Sequence, residues 1–192
     1  IVSVTIPGSV VSVGEDAFSD CPNLNDVTVV DLKAWCGIDF ANEAANPLYP
    51  RCVVKNYGYD TPYSIFYNYK KLVVDGIEAN HLVIPEGIED IKPYAFVGFS
   101  GSGLTLPGSL KSVGKDAFAS CKNLKSIYVG DLESWLDIDF ETASSNPMYG
   151  VYDDVIYEWE ETSHNIGYIA TETGRLFNQK ELYGANKRLT NL

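Results

Sequence analysis

Two histidines, four cysteines, a dense run of acids and two crowds of tyrosine hold the chain's reactive groups. His81 and His164 lie far apart, and neither has a His, Cys or carboxylate at metal-ligand spacing. A Ser/His/Asp site would need one of them, and no Gly-x-Ser-x-Gly elbow is present. His81 precedes Leu82 in an alternating run, which puts it on the outward side of a strand. Asp153, Asp154, Glu158, Glu160 and Glu161 offer the hard oxygens that Ca²⁺ prefers. Their spacing matches no calcium loop, and alternation in a solvated hairpin gives the same pattern. No carboxylate pair is marked out for glycosidic cleavage. The expectation is a chain with no catalytic residues, no metal and no cofactor.

The cysteines divide into two pairs. Cys21 and Cys121 occupy equivalent positions of a repeat, and a third copy has Phe99 there. A slot that takes either Cys or Phe is buried and apolar, so these thiols are expected to be free and inert. Cys36 and Cys52 are both absent from the second copy, where Leu136 and Tyr152 stand instead. Two readings remain open: a disulfide, as export permits, or Cys36 filling a core position beside Trp35.

The aromatic residues point to contact rather than catalysis. Tyr57, Tyr59, Tyr63, Tyr67 and Tyr69 crowd one segment; Tyr152, Tyr157, Trp159 and Tyr168 crowd another. Tyr and Trp give rigid contact area with a polar tip, which suits protein or sugar surfaces. In an alternating hairpin, half of each set would instead pack inward.

These groups hang on a chain that repeats itself at an offset of one hundred residues. TIPGSVVSVGEDAF at 5–18 returns as TLPGSLKSVGKDAF at 105–118. The match continues through Asp31-Leu32/Asp131-Leu132, Trp35/Trp135, Ile38-Asp39-Phe40/Ile138-Asp139-Phe140 and Asn46-Pro47/Asn146-Pro147. A shorter unit lies within it. Ile6-Pro7, Ile84-Pro85 and Leu106-Pro107 each end an apolar run, and each unit then reaches Ala17-Phe18, Ala95-Phe96 or Ala117-Phe118. Where units adjoin, the step is 22 or 23 residues: Val4 to Val27, Leu82 to Leu104, Leu104 to Ile127.

That spacing predicts a stacked coil. A strand of ~5 residues alternates faces; Pro, which has no N–H, ends its ladder. The chain then returns beneath its start. One coil cannot bury its own apolar side, but a stack can, with parallel strands along one face. Phe18, Phe96 and Phe118 are expected to form a column of rings opposite the strands. Gly14 and Gly114 are candidates for a positive-φ turn, although Lys92-Pro93 in the middle unit argues against a strict glycine requirement. Gly98-Phe99-Ser100-Gly101-Ser102-Gly103 lacks phosphate-loop spacing and reads as a turn.

Two insertions, 33–78 and 133–188, break the rhythm, each opening with Asp-Leu-x-x-Trp. Each is expected to carry a β-hairpin: Cys52–Lys55 with Ile65–Val74, and Val155–Trp159 with Ile166–Thr171, with Glu172-Thr-Gly174 as a turn. Ile1 begins in mid-strand and Leu192 stops in one, so both termini are expected to be cut within a longer array.

The unit Ile-Pro-x-x-Val-x-x-Val/Ile-Gly-x-x-Ala-Phe-x-x-Cys-x-x-Leu resembles the BspA-like (Treponema-type) leucine-rich repeats of bacterial cell-surface and secreted proteins. The resemblance covers 1–50 and 79–150 well. It implies a single solenoid over 1–192, mostly β with short helical or irregular segments: a right-handed leucine-rich-repeat coil with parallel strands and two hairpin-like insertions. Members of that family are usually described as adhesins or host-interaction proteins, with no catalytic residues to carry over.

The expected role is a binding or adhesion module, extracellular or at the cell surface, contacting a protein or glycan on another cell or matrix. A stalk displaying other domains is the alternative, and a hydrolase a distant third. A net charge of −12 argues against nucleic acid and anionic lipid, and no run approaches the ~18 apolar residues of a membrane span. Expected contacts are the outward strand face (Thr5, Thr28, Val83, Thr105, Tyr128) and the aromatic insertions (Tyr57, Tyr59, Tyr63, Tyr67, Tyr157, Trp159, Tyr168).

Overall fold

The computed structural model describes the backbone of residues 1–55, 64–130, 132–149, 152–162, 165–176, 181–184 and 187–188, and side chains over 1–50, 67–130 and 133–149. The chain winds through about five coils. Coil 1 holds β1 (Ser3–Ile6) and β2 (Ser12–Val13). Coil 2 holds β3 (Asp26–Val29), helix α1 (Leu32–Cys36), β4 (Asp39–Phe40) and a 3₁₀ turn at Glu43–Ala45. An excursion follows, through β5 (Arg51–Lys55), β6 (Ser64–Asn68), β7 (Lys71–Val74) and β8 (Ile77–Glu78). Coil 3 holds β9 (His81–Val83) and β10 (Asp90–Ile91); coil 4 holds β11 (Gly103–Thr105) and β12 (Ser112–Val113). Coil 5 holds β13 (Ser126–Val129), α2 (Leu132–Leu136), β14 (Asp139–Phe140) and a 3₁₀ turn at Ala143–Ser145. Beyond it come β15 (Tyr152–Thr162), β16 (Asn165–Leu176), β17 (Glu181–Gly184) and β18 (Lys187–Arg188).

The front of the stack is parallel. β1, β3 and β7 pair in register through Val4, Val27 and Leu72. β9, β11, β13 and β17 pair through Leu82, Leu104, Ile127 and Leu182. Val27, Leu72, Leu82, Leu104 and Ile127 are fully buried, so the period of two places one side of every strand in a common core. A second ladder runs behind it, where Ile91, Val113 and Phe140 line up across β10, β12 and β14.

Local chemistry shapes each coil. The Asp31 carboxylate caps α1 by accepting from the Ala34 N–H at 3.0 Å. Asn42 caps the following 3₁₀ turn by accepting from the Ala45 N–H at 2.8 Å. Positive φ falls on Asp16, Tyr94 and Asp116, two residues beyond the glycine position; this corrects the expectation for Gly14 and Gly114. Gly114 is required for space instead. A Cβ there would lie 2.5 Å from the Pro93 nitrogen, whereas one on Gly14 would meet nothing within 4 Å.

The ring column is shorter than expected. Phe96 and Phe118 stack at 5.5 Å, nearly parallel, and the Phe96 N–H donates to Ala117 O. Phe18 instead donates its N–H to Ala44 O, because coil 2 puts Ala44-Ala45 where other coils have Ala-Phe. Phe18 is therefore only half-buried.

The excursion carries more structure than one hairpin. β5 and β6 pair antiparallel from Arg51↔Asn68 to Lys55↔Ser64. β7 then rejoins the front sheet as a rung and turns back through Asp75-Gly76, both at positive φ, into β8. Front and back are spaced differently here. At the back, coil 3 sits on coil 2, with the Lys92 N–H on Cys36 O at 2.9 Å. At the front, β7 and β8 stand between β3 and β9. In the second hairpin, β15 and β16 run on until Thr162 pairs with Asn165. Glu172–Gly174 thus lies inside β16 and is not the turn expected there; the pairing shifts register at Thr173-Gly174, opposite Asp154, and the glycine is taken up as a bulge.

Candidate interaction surface

Every inward residue of a front strand leaves its neighbours facing out. One outward row runs Thr5, Thr28, Val73 in the first sheet and Val83, Thr105, Tyr128 in the second. The adjacent row runs Ser3, Asp26, Lys71 and His81, Gly103, Ser126. Gly103 lets the rows meet. A Cβ on it would fall 2.7 Å from His81 Nδ1. The imidazole uses that space to place Nε2 2.7 Å from Thr105 Oγ1. Its ring also lies 5.2 Å from that of Tyr128. The result is an exposed imidazole, a hydroxyl and a half-buried phenol side by side on a parallel sheet. Lys71 and Glu78 form an ion pair at 3.1 Å across β7 and β8 of the first sheet. The hydrogen bond to Glu78 holds the Lys71 ammonium above its ordinary range. Such a surface can stack on a planar group and exchange hydrogen bonds with it.

Tyr67 is 43% exposed at the end of β6. Its ring lies 6.4 Å from Tyr69, and the Lys122 ammonium stands 4.0 Å from its centroid. In β15 and β16, Trp159 pairs in register with Tyr168, and Tyr157 stands two positions from Trp159, the spacing of one strand face. Tyr57, Tyr59, Tyr63 and His164 lie outside the described residues, as do the side chains of Cys52 and the acids of 153–161. Among the described residues, no three His, Cys, Asp or Glu converge as a metal site.

Cys36 is a free thiol, 1% exposed, so the disulfide reading gives way to the core-filling one. Burial pushes this thiol up to about 12; a backbone hydrogen bond lowers it and Asp31 raises it further. Cys121 is buried, with Sγ 3.3 Å from Phe96 O, and Cys21 is half-buried.

Sequence reasoning missed what the recurring Trp and Asn do. Trp35 Nε1 donates to Ala95 O at 2.8 Å. Asn46 Nδ2 donates to Tyr94 O at 2.7 Å and Ala95 O at 2.9 Å, while its Oδ1 accepts from the Leu48 N–H. Both side chains are buried. They clamp coil 2 to the Ala-Phe corner of coil 3, about fifty to sixty residues onward. The recurrence of Trp and Asn was the available signal, but their partners are main-chain carbonyls with no sequence mark.

Comparison with family models returns six copies of the BspA type leucine rich repeat region, over residues 1–34 and 64–144. The second block takes in β7, the rung that sequence alone left within the first insertion. Neither curated proteins nor solved structures give a match. Matched over more than half its length, with parallel rungs at the predicted registers, the chain belongs to the BspA-type leucine-rich-repeat family.

Proposed function

We propose that the chain is a non-catalytic binding or adhesion module of a bacterial surface or secreted protein, working by contact with a protein or glycan on another cell or matrix. The observation that carries this reading is the His81–Thr105–Tyr128 group on the outward parallel face. Three strands present it side by side, and each belongs to a different coil. Sheet-borne groups of this kind are held in place before a partner arrives, which lowers the ordering cost of binding. The Tyr67–Lys122 patch supplies further aromatic contact area. Among the described residues, no helix is long and apolar enough to cross a membrane.

The test is a screen of glycans and matrix proteins against the immobilised chain. Saturable binding should appear, and Tyr128→Ala or Trp159→Ala should weaken it by about tenfold or more, as aromatic anchors do. Binding that neither change affects would refute the assigned surfaces. No saturable partner at all would favour the spacer reading, in which the stack only sets distance.

A further inference from the structure

The two front sheets do not join. β8 is the last strand of one and β9 the first of the other, with no ladder between them. At this seam lies a cleft of about 400 Å³, lined among others by Leu32, Val74, Ile77, Glu78, His81 and Val83. The β9 edge that faces it is open. β9 meets β11 through Ile84 N–H to Thr105 O and Gly103 N–H to Asn80 O. By alternation, the main-chain groups of His81 and Val83 point the other way, and no strand among the described residues pairs with them. Proteins normally blunt such edges with charge, proline or a cover. This one is short, but Val83 is 57% exposed and Ile77 across the cleft is 72% exposed.

The chemistry of the cleft selects an occupant. A row of main-chain N–H and C=O groups is matched by another polypeptide backbone, which a glycan lacks. The aliphatic lining takes an apolar side chain. Asp75, exposed in the β7–β8 turn, has no cation partner among the described residues, while Lys71 is held by Glu78. We propose that the seam receives an extended segment of a partner protein. The segment adds a short strand to the free edge of β9, seats an aliphatic residue against Leu32 and Val74, and sets a Lys or Arg beside Asp75. This rests on the binding-module reading and narrows its partner to a protein strand.

The probe is a fluorescent, end-capped hexapeptide of alternating Lys and Val, followed by polarisation at physiological salt. Its Glu-Val counterpart and a copy N-methylated at alternate amides serve as controls. The Lys-Val peptide should bind about tenfold tighter than either control. Val83→Pro deletes the outward N–H while leaving the ladder to β11, a place where an edge strand tolerates proline. It should abolish the preference over the N-methylated copy. Asp75→Asn keeps a residue that accepts positive φ and should weaken binding about threefold, with a flatter salt dependence. Equal binding of the N-methylated peptide would overturn the proposal, as would binding unchanged in a folded Val83→Pro chain. If Val83→Pro fails to fold, the N-methylated comparison decides alone. A partner lost on Tyr128→Ala yet indifferent to Val83→Pro would keep the module reading and remove the strand at the seam.

Discussion

Cys36 shows how one position changes character with its neighbours. It is buried because coil 3 lies on it, with the Lys92 N–H on its carbonyl, whereas Leu136, its counterpart in the second copy, is 67% exposed. Burial raises the thiol from 9.0 to about 12. An acid whose folded pKa is raised costs nothing while both states are protonated. Above 9.0 the unfolded chain ionises and the folded one does not, so stability falls as pH climbs toward 12. The slope should be about 1.4 kcal/mol per pH unit within that window. Urea unfolding at pH 8.5 and 10.5, in the native chain and in Cys36→Ala, isolates it from the lysines and tyrosines that also titrate there. The alanine chain should lose this part of the alkaline slope, and equal slopes would refute a buried thiol. In the native chain at pH 8, Cys36 should also alkylate more slowly than half-buried Cys21.

At the scale of the element, the coil is a front strand, a back strand and an Ala-Phe corner, and the corner is the uneven part. Phe118 is 2% exposed and stacked on Phe96. Phe118→Ala should cost about 3–5 kcal/mol, read from the urea midpoint. Phe18 meets the alanines of coil 2 and is half-buried, so Phe18→Ala should cost less than half as much. Similar losses at both positions would mean that a continuous column exists after all. The front strands were legible beforehand because their signal is local: two inward residues, a following proline, and a return after 22 or 23 residues. β7 was not legible as a rung. Ile65 to Val74 reads as one alternating run, and nothing in Tyr69-Lys70 marks the break. The break depends on burying Lys70, whose ammonium reaches Tyr49 O at 2.5 Å, a contact across twenty-one residues. The outward cluster was half legible. Thr105 and Tyr128 follow from the strand register, and His81 was placed facing outward. That the imidazole lies across Gly103 onto both depends on a missing Cβ on the strand between His81 and Tyr128.

Over the whole molecule, the seam decides how the stack behaves. A repeat array is stabilised by each coil and by the interfaces between neighbours, so a weak interface divides it. No strand ladder links the front sheets at this point. Coils 2 and 3 are held largely from behind, by Lys92 N–H on Cys36 O and by Trp35 and Asn46 on the carbonyls of Tyr94 and Ala95. β7 and β8 add at least one strand width, ~4.8 Å, to the front alone, with no matching strand among the described residues in the back ladder of coils 3 to 5. The Trp-Asn clamp is thus what lets two blocks fold as one. Asn46→Ala strands the Leu48 N–H, at about 1–3 kcal/mol, and takes one of two donors from each carbonyl, leaving Tyr94 O to the Val97 N–H and Ala95 O to Trp35 Nε1. Its effect should exceed loss of stability. Amides of β1 and β3 should exchange hydrogen together with those of β11 and β13 in the native chain, and separately, at lower protection, once the clamp is cut. Urea unfolding should broaden or divide into two steps in the same variant. A single sharp transition with uniform loss of protection would show that the front excursion itself carries the coupling, and the clamp would then be a local packing detail.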